Sequence, residues 1–88
     1  MYDVIFRGQA KNDYKHWAKH NKAIRGRIDE LIKDMLQHPF EGLGSPKPLK
    51  GDLHGCWRRK ITGKHRLVYS VSGNVISIFI CRWHYEKE

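Results

Sequence analysis

The sequence is poor in several features, and each shortage narrows what the chain can be. It has only two cysteines, Cys56 and Cys81. One disulfide could be drawn between them, but a reducing compartment favours two free thiols packed as small apolar residues in strands. No paired CxxC occurs. His54 with Cys56, and Cys81 with His84, would meet in a metal site only by accident of folding, so no metal or cofactor is expected. Long apolar runs are missing too. The longest, Val75 to Cys81, includes Ser77 and is far too short to span a bilayer. The opening stretch "MYDVIFRGQAK" carries Asp3 and no signal-peptide core. These absences predict a soluble, cytoplasmic chain with no membrane partner. Repeats, low-complexity stretches and linkers are lacking, and 88 residues suit a single domain, 1–88. Acidic residues are scarce: nine against 17 Lys plus Arg, a formal charge of +8 and a pI near 9.8. That excess points to a polyanionic partner.

Residues 2–6, "YDVIF", read as a first strand. Gln9 to His20 fits a short amphipathic helix with Tyr14 and Trp17 turned inward. Ile24, Ile28, Leu31, Ile32, Met35 and Leu36 follow the spacing of one helical face. Asn21 can cap that helix and Pro39 stops it. Residues 39–55 hold all three prolines and several glycines, and read as a long structured loop with a short strand around Leu49. A loop of that length in a compact domain is often functional. Pro46 and Pro48 flank and stiffen Lys47. Three strands follow. "CWRRKI" places Trp57, Arg59 and Ile61 on one face, with Cys56, Arg58 and Lys60 on the other. "RLVYSV" places Leu67, Tyr69 and Val71 together, opposite Arg66, Val68 and Ser70. "VISIFI" places Ile76, Ile78 and Ile80 together, after an "SGN" hairpin turn. The expected fold is α+β: order β-α-α-β-β-β, two helices laid on one face of a small, mostly antiparallel sheet.

Such a sheet leaves its other face open, and here that face would be cationic. Arg58, Lys60 and Arg66 can lie on neighbouring strands facing one way. Lys47 and Lys50 come from the loop, and Arg82, Trp83, His84 and Tyr85 leave the last strand. Arg and Lys can grip phosphates while an aromatic ring stacks a base. Arg66, at the start of a central strand, needs an anionic partner, either a protein carboxylate or a bound phosphate. This set suits ribose-assisted phosphodiester cleavage, in which a 2′-hydroxyl attacks the adjacent phosphorus. That chemistry needs a base, cations at the phosphate and an acid for the leaving 5′ oxygen. His84 is the obvious acid. His16, His20, His38, His54 and His65 read first as ordinary packed or surface side chains.

The run "LIKDMLQHPFEGLGSPKPLKGDLHGCWRRKITGKHRLVYSV", followed by "CRWHY", resembles the YoeB/Txe group of bacterial toxins within the RelE/ParE superfamily. The resemblance runs from the first strand to Tyr85. It implies a microbial-RNase-like, RelE-type fold and a toxin that acts as a ribosome-dependent, metal-independent endoribonuclease, cutting mRNA in the A site and halting translation. It implies a cognate antitoxin of the YefM/Axe/Phd-like kind, and assemblies that include homodimers. By position, Arg66 matches the family's phosphate-stabilising arginine, His84 its catalytic histidine, Tyr85 its terminal tyrosine and Lys50 the lysine of "PLK". Arg59 matches an arginine of the "W.RR" segment, and Lys60 stands where a second arginine is usual. With Arg58, Arg82 and Trp83 these make the expected RNA-binding set.

One position departs from the pattern. The family's general base is a glutamate between the two prolines, and here that residue is Lys47. A lysine can serve as base only with a strongly depressed pKa. Lys47 is therefore a modified base, or a phosphate-binding cation with the proton taken elsewhere, or the mark of a weakened toxin that binds RNA or ribosome without efficient cleavage. Glu41 is a remote substitute carboxylate. A ParE-like gyrase inhibitor would share the fold, but the terminal "HY" and the arginine of "HRLVY" argue against it.

Overall fold

The computed structural model describes residues 2–83. The expectations for His84 and Tyr85 lie outside the described residues.

Strand β1 (Asp3–Phe6) leads through Gly8, at φ 52°, into helix α1 (Gln9–His20). A positive φ suits glycine at that corner. Helix α1 buries Ala10, Asp13 and Trp17 on one face. Asn21 separates it from helix α2 (Lys22–Gln37) and caps α2 as expected, its Oδ1 accepting the Ile24 N–H at 3.1 Å. Helix α2 ends one residue before the one preceding Pro39, as proline sterics require. Ile28, Leu31 and Met35 are fully buried. Each contributes about 1.5–3 kcal/mol by leaving water. The helices are joined by the Tyr14 hydroxyl, which donates to Asp29 at 2.6 Å and accepts from Arg25 at 3.0 Å.

After the loop come β2 (Lys47–Pro48), a short 3-10 turn (Gly51–Leu53), β3 (Trp57–Lys60), β4 (Arg66–Ser72) and β5 (Val75–Ile80). The five strands form one sheet in the order β1-β5-β4-β3-β2. The α+β class and the RelE-type arrangement hold, with three refinements. First, β1 pairs with β5 in parallel, so the sheet is mixed. Second, the loop strand is Lys47–Pro48, just before Leu49, and it pairs antiparallel with β3. Third, Ile80 does not share a face with Ile76 and Ile78. Tyr69 pairs with Ile78 but Val68 pairs with Ile80, so a bulge at Phe79 inserts one residue. A one-residue slip sends the following side chains to the opposite face. Ile80 therefore joins Val68 on the outer face.

The inner face carries Leu67, Tyr69, Ile76 and Ile78, all fully buried, against Trp17, Ile28, Leu31 and Met35. The loop before β2 lies close to this core. Gly44, at φ +79°, has no room for a side chain, since a Cβ there would meet Leu31 at 2.9 Å and Arg59 at 3.1 Å. Its carbonyl accepts the Lys60 N–H at 2.8 Å. Both thiols are unoxidised. Cys81 is fully buried, and burial pushes its thiol up to about 12. No helix among the described residues is long and apolar enough to cross a membrane.

Candidate functional site

Strand register assembles the cationic face. Lys47 lies directly across from Arg58, and Lys60 directly across from Arg66. Residues directly opposite share a face, and alternation puts Arg58 and Lys60 on the same one. Lys47, Arg58, Lys60 and Arg66 therefore sit together on the outer face of β2, β3 and β4. Val68 and Ile80 give them an apolar floor. Like charges directly opposite destabilise a sheet. Two such pairs side by side leave the face in want of an anion.

The guanidinium groups are held rather than loose. Arg58 donates to the Ser45 carbonyl at 2.9 Å, fixing the loop that presents Lys47. Arg66 donates through Nη1 to the carbonyls of Thr62 at 2.7 Å, Gly63 at 3.3 Å and His65 at 3.2 Å. Of the two partners open to Arg66, a protein carboxylate is not seen among the described residues. Lys47 is exposed. Lys50 is exposed just past the buried Leu49, whose N–H donates to the Cys56 carbonyl at 2.9 Å. Glu41 faces His38 at 4.0 Å.

Arg59 corrects the expected RNA-binding set. Its side chain is fully buried. It donates to Asp34 at 2.7 Å, to the carbonyls of Leu43 at 3.2 Å and Glu41 at 2.8 Å, to that of His38, and to the Tyr69 hydroxyl at 3.2 Å. The Tyr69 hydroxyl in turn donates to the Pro39 carbonyl at 2.7 Å. All five guanidinium hydrogens are thus engaged inside the fold. The Arg59 hydrogen bond holds the Asp34 carboxyl below its ordinary value, assisted by the Leu43 N–H. Burial raises the Tyr69 phenol, against the pull of Arg59. Arg59 cannot reach RNA. It ties residues 38–43, and with them the start of the loop, to the sheet.

The segment that follows β5 is pinned from three sides. The Trp17 indole N–H donates to the Cys81 carbonyl at 2.9 Å. The Trp83 N–H donates to Nδ1 of His65 at 2.7 Å, and the Arg66 N–H donates to the Trp83 carbonyl at 3.0 Å. Arg82 lies 5.6 Å from the Trp17 ring centre and 4.9 Å from that of Trp83, and Lys64 lies 4.8 Å from the Trp83 ring. Trp83 itself is half-exposed at φ 68°. A non-glycine residue in that left-handed region costs about 1–2 kcal/mol, so the surrounding bonds must over-determine it. His65 is buried edge-on against Trp17, ring centres 4.8 Å apart. Desolvation, then Lys64, Arg82 and His16, lower its pKa and favour the neutral ring that Nδ1 acceptance requires. Sequence reasoning read His65 as an ordinary packed histidine. The signal for more was its place beside Arg66 in a chain rich in indoles.

Comparison with known proteins agrees with this geometry. A family model described as the YoeB-like toxin of bacterial type II toxin-antitoxin systems matches residues 6–85. Toxin YoeB of Escherichia coli (strain K12) is 46% identical over 82 residues, covering 93% of this chain and 98% of that one. Among solved structures, a YoeB/ParE toxin from Agrobacterium tumefaciens superposes with a TM-score of 0.90 at 38% identity, covering 97% of this chain and 100% of that one. The toxin in a YoeB-YefM complex from Staphylococcus aureus superposes with a TM-score of 0.89 at 40% identity, covering 97% and 99%. A profile that spans nearly the whole chain, with relatives this similar end to end, places the protein in the YoeB-like toxin family of bacterial type II toxin–antitoxin systems.

Proposed function

We propose that the chain is a ribosome-dependent endoribonuclease that cuts mRNA in the A site and inhibits translation. The observation that carries this reading is the pair of like-charged couples, Lys47 with Arg58 and Lys60 with Arg66, on one sheet face. A phosphate chain relieves their repulsion, and the +8 charge draws the protein to RNA-rich surfaces. Arg66 and Lys50 stabilise the phosphate. The 2′-hydroxyl attacks the adjacent phosphorus, the bond to the 5′ oxygen breaks, and His84 gives that oxygen a proton. The products are a 2′,3′-cyclic phosphate and a free 5′-hydroxyl. Tyr85 orients the target, Trp83 offers a face for stacking, and Arg58, Lys60 and Arg82 hold flanking phosphates. The chemistry draws on no metal.

Lys47 is exposed across from Arg58. That position favours a phosphate-binding cation, with the hydroxyl proton taken by another residue or by a ribosomal group. The same lysine favours the second reading, a catalytically weak ribosome- or RNA-binding homologue. A similar toxin solved as a YoeB-YefM complex supports a cognate YefM-like antitoxin as partner here, and action on ribosomes sets the cytoplasm as its place.

Primer extension on mRNA programmed into ribosomes tests the reading. New ends are expected at the A-site codon with ordinary message, and none when the target nucleotide carries a 2′-deoxy sugar. Equal cutting of the deoxy message would end the proposed mechanism, and stalling without new ends would favour the weak binder. In the same assay Lys47→Glu, which restores the usual family residue, should raise the cleavage rate. A fall would mean that the lysine's charge serves a step of its own.

A further inference from the structure

We infer that His65 is a positioning residue, whose Nδ1 lone pair clamps the backbone of Trp83, the residue directly before His84 in the sequence. The inference rests on the nuclease reading above and adds a residue to it. Trp83 is the last described residue, and His84 follows it directly. The backbone of Trp83 sits at φ 68°, a conformation a tryptophan does not adopt unaided. Two bonds hold it there, one at each end of the residue. Its N–H donates to His65 Nδ1 at 2.7 Å, and its carbonyl accepts the Arg66 N–H at 3.0 Å. Adjacent residues of one strand entrance thus grip one residue of the outgoing segment.

The clamp is itself rigid. The His65 N–H donates to Thr62 Oγ1 at 3.1 Å. The His65 carbonyl accepts the N–H of Ile61 at 3.0 Å and of Thr62 at 3.2 Å. The ring packs edge-on to Trp17, 4.8 Å away, and lies 5.5 Å from the Trp83 ring. Trp17 in turn holds the Cys81 carbonyl. Arg66, which the nuclease reading places on the phosphate, is the very next residue. The clamp therefore couples the position of the phosphate-binding arginine to the backbone of Trp83, next in sequence to His84. A displacement of about 1 Å can cost on the order of 100-fold in rate.

Two substitutions separate the lone pair from the bulk of the ring. In asparagine, Oδ1 occupies the place of histidine Nδ1 and can accept the same N–H. Phenylalanine keeps a ring between Trp17 and Trp83 but accepts nothing. His65→Phe is expected to speed hydrogen exchange at the Trp83 amide at least tenfold, and to slow single-turnover cleavage on ribosomes roughly 10- to 100-fold with ribosome affinity unchanged. His65→Asn is expected to keep both near the wild-type values. Equal Trp83 exchange in wild type and His65→Phe would overturn the clamp, whatever the cleavage assay gives. Equal loss of cleavage in His65→Asn, with Trp83 still protected, would overturn the positioning role. A wild-type chain that leaves the message intact would sink the nuclease reading instead, while the exchange measurement would still decide the clamp.

Discussion

Arg59→Met should unfold far more easily than the parent chain. Methionine keeps the length of the side chain and removes the guanidinium. Asp34 then loses its charged partner, and the carbonyls of His38, Glu41 and Leu43 lose their donors together. Breaking a buried ion pair from one side costs about 3–5 kcal/mol. Asp34 keeps some contact with water, its side chain being 21% exposed, which favours the lower end of that range. For a domain of this size, such a loss lowers the melting temperature by roughly 12 °C or more. Urea titration or calorimetry would check it. Arg59→Lys should fall between the two, because an ammonium can reach Asp34 but cannot fan out to three carbonyls. A methionine variant melting within a few degrees of the parent would show that residues 38–43 are anchored by something else.

The largest effect on activity is expected from His84→Ala. Removing a general acid typically costs 10²- to 10⁴-fold, and single-turnover cleavage of ribosome-bound message should fall by about that much. Ribosome binding should be nearly unchanged, because the cations of β2, β3 and β4 remain. Sedimentation with ribosomes measures binding, and primer extension measures cleavage. Cuts that persist at the parental rate would remove His84 from the chemistry and turn attention to Arg66 and the lysines. Weakened binding with an unaltered cleavage step would make the imidazole a contact to RNA.

Much of the fold is legible in the sequence because two periodicities are strong. Ile28, Leu31 and Met35 mark the inner face of α2, and Asn21 marks its start. Leu67, Tyr69 and Val71 mark the inner face of β4. The parallel pairing of β1 with β5 is not legible, since it joins segments about 70 residues apart and no local pattern encodes such a partner. The bulge at Phe79 is hidden for a related reason. "VISIFI" alternates without a break, and only the pairing partner reveals the slip. Arg59 is the most instructive case. Its alternation with Trp57 and Ile61 points inward, whereas its match to a basic segment of the family points towards RNA. Burial follows the alternation, because the side chain finds five acceptors in the interior. The cationic face follows from alternation plus register: the faces of Arg58, Lys60 and Arg66 are readable, but the meeting of Lys47 with Arg58 depends on a two-residue strand. The His65 clamp stays invisible in the sequence because its partner is a backbone amide, which every residue but proline possesses.

The pairing of β1 with β5 bears on how the protein comes into being. Synthesis delivers the first strand long before β5, its neighbour in the sheet among the described residues, and Trp17 must wait 64 residues for the Cys81 carbonyl. Domains fold as units once their parts are present. A nascent chain of this sequence therefore lacks the finished sheet until β5 has emerged.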